Sequence, residues 1–142
     1  MNQPILRHIR KIEYCAAYHL KRAIILPAQA IALVREPMPW QEIPIVRFAK
    51  LESIEDVENG VRIYTSKLTA TLCKPFLHPK RPSAFRLTDV QGQTYLLGTS
   101  EKPHPLSVIT IQYPEKVKDL IQYGLFTQWM SYTGYPLISE AY

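Results

Sequence analysis

Two cysteine–histidine pairs offer a candidate set of metal ligands. Cys15 and His19 stand four positions apart, and Cys73 and His78 five apart. Thiolate and imidazole are the preferred ligands of zinc, and four of them would complete a tetrahedral site. On a helix the first pair would share one face, with the second pair on a loop. The simpler reading takes both cysteines as small buried apolar residues, which is their commonest state. Cys15 lies in the apolar run YCAAY, and Cys73 closes a strand-like run. Zinc modules usually keep shorter, paired knuckles, so the expectation is no metal and no other cofactor.

The second constellation is the segment KPFLHPKRPSAFR. Lys74, His78, Lys80, Arg81 and Arg86 make it the most basic stretch, with Phe76 among them. Cations beside an aromatic ring can hold phosphate or a single strand, which makes nucleic-acid binding through residues 74–86 the alternative function. A solvated loop stiffened by proline explains the same residues without any ligand. The third is the aromatic last block, in which Phe126, Trp129, Tyr132 and Tyr135 are interface candidates. Rings with an apolar body and a polar tip are common anchors at protein contacts. Strand alternation would place Phe126, Met130 and Tyr132 on one face and Trp129 on the other.

Familiar catalytic signatures are missing. The sequence holds no glycine-rich phosphate loop, no serine between glycines, no HExxH and no Cys-x-x-Cys. A non-enzymatic protein without a small-molecule substrate is therefore expected.

The elements that would position these groups are cut by proline. Twelve prolines stand against five glycines, clustered at Pro37–Pro44, Pro75–Pro82 and Pro103–Pro105. Proline lacks a backbone donor and interrupts both helices and central strands, so four ordered blocks are expected. In the block from Phe48 to Leu72, Asn59–Gly60 is a type I′ hairpin signal. Folding there pairs Glu58 with Val61, Leu51 with Leu68, Ala49 with Ala70 and Ser53 with Ser66. It also sets Glu52 against Lys67, an opposite-charge pair that supports this register.

The stretch AFRLTDVQGQTYLLGTS, from Ala84 to Ser100, reads as a second hairpin. A three-residue loop of Val90, Gln91 and Gly92 pairs Asp89 with Gln93, Leu87 with Tyr95 and Phe85 with Leu97. That register gathers four large apolar groups on one face. Asp89 suits the first position of a type I turn, and Gly92 suits the left-handed position after it. Backbone geometry thus accounts for both polar outliers.

Further strands are predicted at Ala30–Val34, Leu106–Tyr113 and Leu125–Tyr132. Between the last two, Pro114 could start a short helix that Gly124 caps, with a loop leading into a longer strand as the competing reading. Ile5, Ile9, Ile12, Ala16 and Leu20 recur at helical spacing, which favours a helix over the first block, with KIEYC and AIILPAQAIALV as strands the competing reading. The expected fold is mainly β: a small sandwich or barrel-like domain built from antiparallel hairpins, with up to two short helices. An α+β fold with an N-terminal helix is the alternative.

The 142 residues suit one globular domain, 1–142, and 46% apolar with 20% charged residues is globular composition. Seventeen Lys and Arg against twelve Asp and Glu give +5, a moderate bias towards anionic partners. After Met1 the apolar residues are interrupted by Arg7, Arg10 and Lys11, unlike a signal peptide. The longest apolar candidate, Ala23 to Leu33, contains Pro27 and Gln29 and is short of a membrane span. With two cysteines only, a cytoplasmic product and no membrane association are expected.

Taken together, IEYC, ILPAQAIALV, LCKPF, AFRLTDVQGQTYLLGTS and SYTGYPL resemble small proteins of bacterial prophage-like gene sets. The resemblance spans most of the chain and carries no catalytic residue. It implies a structural or assembly component, associated with a tail or virion, that acts through contacts with itself or a protein partner.

Overall fold

The structure, a computed structural model, describes residues 5–22, 24–26, 31–33, 39–72, 74, 82–100, 104–112, 122–131 and 137–139. Eleven strands follow one another: β1 (Ile5–Ala16), β2 (Ile24–Leu26), β3 (Ile31–Leu33), β4 (Gln41–Ile43), β5 (Ala49–Glu58), β6 (Val61–Leu72), β7 (Ser83–Asp89), β8 (Thr94–Leu97), β9 (Leu106–Gln112), β10 (Gln122–Ser131) and β11 (Leu137–Ser139). A 3-10 helix, Ala17–Arg22, follows β1. All the strands join one sheet, ordered β2-β3-β11-β8-β7-β1-β5-β6-β10-β9, with β4 beside β1. The β3–β11 pair is parallel and the others are antiparallel. Within this sheet a seven-stranded antiparallel part curls into a half-barrel, so the fold is mainly β and takes the barrel-like form.

Both hairpins adopt the registers that their turns dictate. Asn59 and Gly60 have φ of 52° and 79°, the positive values a type I′ turn needs. Glu58 then pairs with Val61, Glu52 with Lys67, and Leu51 with Leu68. In the second hairpin Phe85 pairs with Leu97 and Leu87 with Tyr95. The Gly92 N–H donates to the Asp89 carbonyl at 3.1 Å, with Gly92 at φ 90°.

The first block corrects the expectation of a helix. Residues 5–16 form a strand, and among the described residues no helix reaches seven residues, which removes the α+β alternative. The helical spacing has a strand explanation. On β1, Ile9 pairs with Asp89 and Lys11 with Thr88, so Arg10 is an extra residue, a β-bulge. An inserted residue turns a two-residue repeat into a three-residue step. Ile9 and Ile12, three apart, therefore point to the same side and are both fully buried. At Gly124 the competing reading, a longer strand, is the one found. Gly124 caps no helix but lies within β10, paired with Thr71 and Thr110. Residues 114–121, the part of that stretch before β10, lie outside the described residues.

β1 is the spine of the sheet. Ile5–Ile9 pair with β5, Ile12–Tyr14 with β4, and residues from Ile9 to Ala16 with β7. Alternation then delivers one apolar row per strand to the core: Ile9 and Ile12, Ile43, Ala49 and Leu51, Leu68 to Leu72, Phe85 and Leu87, Leu97, Leu125 and Trp129. Each fully buried leucine contributes about 1.5–3 kcal/mol. This burial also fixes the register, because a one-residue slip would turn the whole row to water.

Candidate functional site

The cysteine–histidine idea meets a strand where it needed a helix. Cys15 sits on β1, opposite Ala84, and is 3% exposed. His19 lies in the 3-10 helix, its ring 4.0 Å from that of Tyr18. Both residues line one cavity of about 360 Å³, beside Tyr14 and Gln41. There the Tyr14 hydroxyl donates to Gln41 Oε1 at 2.7 Å. Cys73 and His78 lie outside the described residues. Among the described residues no three His, Cys, Asp or Glu side chains are grouped to hold a metal ion.

Of the basic segment, Lys74 is exposed, and His78, Lys80 and Arg81 lie outside the described residues. Arg86 is not a solvent-facing cation. Its Nε donates to Glu13 Oε1 at 2.9 Å and its Nη2 to Glu13 Oε2 at 2.6 Å. The Trp40 ring stacks on the guanidinium, 4.9 Å away. Arg86 and Glu13 side chains are 19% and 9% exposed. A forked, partly desolvated pair of this kind is held by geometry as well as charge, and its arginine is already committed.

Near the second turn, Asp89 does more than its turn role suggests. The side chain is buried. Oδ1 accepts from the Gln91 and Gln93 N–H groups, each at 2.9 Å, and Oδ2 from the Tyr95 hydroxyl at 3.0 Å. Arg10, the bulge residue, donates from Nε to the Asp89 carbonyl at 3.1 Å. The Arg7 guanidinium lies 5.1 Å from the Tyr95 ring centre. Every acceptor site seen here is spent on holding turn, bulge and strand together, so the cluster is a clasp.

The aromatic last block divides as alternation requires. Trp129 is 2% exposed and packs in the core with Leu125 and Leu68, which withdraws it from the interface candidates. Tyr132 and Tyr135 lie outside the described residues. Phe126 and Met130 point to the opposite face and are 38% and 47% exposed. Register carries that face to the end of the sheet. Phe126 is flanked by Thr69 on β6 and Val108 on β9, and Gln128 by Lys67 and Leu106. Leu106 is 75% and Val108 56% exposed. Four large apolar side chains thus lie bare on one face of two adjacent strands, with Ile111 exposed on the other face of β9. Leu106 and Val108 escaped sequence reasoning, because β9 carries apolar residues on both of its faces and its pattern does not say which is covered.

Charge is distributed unevenly over the same face. Further along the row that holds Val108 and Phe126 come Thr69, then Lys50, then His8. β9 and β10, seven and ten residues long, contain no charged side chain. Compared with known protein families, characterised proteins and solved structures, the chain matches none. Among the described residues, no helix is long and apolar enough to cross a membrane.

Proposed function

We propose that this chain is a non-enzymatic assembly protein, acting through protein–protein contacts made by the exposed face of β9 and β10. One observation carries the reading: Leu106, Val108, Phe126 and Met130 are all bare on two neighbouring strands. Single exposed apolar residues need no explanation, whereas a contiguous group on a rigid sheet marks a contact surface. Strands hold such a surface in one shape, so docking orders few side chains and costs little entropy. With the sequence resemblance, we extend the proposal to a tail- or virion-associated component of prophage type, put together in the cytoplasm and needing neither cofactor nor small-molecule substrate.

The test replaces Phe126 with a photo-reactive phenylalanine analogue in the cells that make the protein. Protein adducts at this position, and none from the same probe at Glu58 on the hairpin tip, are expected. Absence of adducts at 126, or adducts to nucleic acid in place of protein, would overturn the reading.

A further inference from the structure

We infer that the partner is a second copy of this chain, joined edge to edge through β9 in an antiparallel two-fold pairing that continues the sheet. The inference rests on the assembly reading and names its occupant.

β9 ends the sheet, and among the described strands β10 is its sole neighbour. Among the described residues, its far edge therefore presents backbone donors and acceptors without a strand to take them. Proteins that stay monomeric guard such an edge with lysine, proline or a bulge. The stretch Leu106–Gln112 holds no charge and no proline, and its register against β10 runs through seven pairs without a shift.

Charge selects the occupant. Charged residues make up 20% of the chain, which is +5 overall, so a contact between two copies is least opposed where charge is sparse. Among the described residues, β9 and β10 carry no charge, and the first charge inward along the Leu106–Gln128 row is Lys67 on β6, which faces Glu52 on β5. At about 4.8 Å per strand, Lys67 and its symmetry mate would stand about 24 Å apart across a β9–β9 seam. That is well beyond the screening length of about 8–10 Å in physiological salt. An acidic partner would be drawn to the His8–Lys50 end of the row, away from this neutral edge.

Symmetry supplies the fit. In an antiparallel pair about a two-fold axis, every residue meets one of the same parity. Core-facing rows then meet core-facing rows, and Val108 and Leu106 meet exposed residues of the second β9. Across the axis Leu106 and Val108 gain cross-strand neighbours of the same apolar kind, and the strip with Phe126 continues over both copies.

The test is light scattering after size exclusion, on the full chain from micromolar to near-millimolar concentration. Wild type is expected as a dimer. Val108→Lys and Val108→Glu each set like charges across the seam and weaken dimerisation by about tenfold or more. Mixing the two variants restores the dimer, because the charges are then opposite. Val108 is exposed, so circular dichroism should report intact folding; if either variant fails to fold, Thr110→Lys and Thr110→Glu, on the same face, replace the pair. A monomer at every concentration, a dimer indifferent to both variants, or a mixture that stays monomeric overturns the pairing. Where that happens and position 126 still gives protein adducts, the assembly reading survives and the self-pairing falls. With no adducts, both fall.

Discussion

Asp89→Ala should be among the most damaging single changes outside the apolar core. The carboxylate is 3% exposed and accepts three hydrogen bonds, two from backbone N–H groups of its own turn and one from Tyr95. Hydrogen bonds to a charged group contribute about 1.5–3 kcal/mol each. The losses will not simply add. Gln91 and Gln93 are exposed, so water can reach their N–H groups, and the Tyr95 hydroxyl has Gln93 Oε1 as a second acceptor at 3.0 Å. A net loss of about 2–3 kcal/mol follows, or a fall of about 10 °C in Tm for a domain of this size. Asp89→Asn retains an acceptor for both N–H groups and should cost about 1 kcal/mol or less. Urea unfolding followed by tryptophan fluorescence measures both variants. An alanine variant within about 0.5 kcal/mol of wild type, or an asparagine variant as unstable as alanine, would refute the clasp.

Other perturbations follow from the same geometry. Glu13→Ala removes both carboxylate hydrogen bonds from the half-buried Arg86 guanidinium and should cost about 3 kcal/mol, while the double variant Glu13→Leu, Arg86→Met should recover much of that loss. Thermal unfolding of the three proteins decides it, and a double variant worse than the single one would contradict the argument. Gly98→Ala should destabilise by about 2 kcal/mol or more, because φ is 105° and a Cβ would meet Pro105 Cγ at 2.8 Å. Gly92→Ala, at φ 90° with nothing within 4 Å of the added carbon, should cost only about 1 kcal/mol. Equal melting temperatures for the two would count against the close approach at Gly98.

Local chemistry made the two hairpins legible. Asn59–Gly60 and Asp89–Gly92 specify backbone angles within a few residues, and once the turn is set the ladder has no freedom. β3, at Ile31–Leu33, and β9 were readable from β-branched composition. β1 misled because its bulge converts alternation into a helix-like step, and a bulge is imposed by the strand alongside it. Gly124 misled because glycine both caps helices and fits central strands, and only its partners Thr71 and Thr110 decide between them. The fate of Arg86 was invisible for a similar reason: its acceptor, Glu13, is 73 residues away. Alternation on β10 did separate Phe126 from Trp129. Exposure of β9 depends on its lying last in the sheet, which no local pattern encodes.

Hydrogen exchange of the β9 amides, measured across a range of protein concentration, is the most direct test of assembly through this edge. Protection within Leu106–Gln112 should rise as concentration rises, with β5 and β7 unchanged. Exchange in that segment that stays fast and independent of concentration would contradict it.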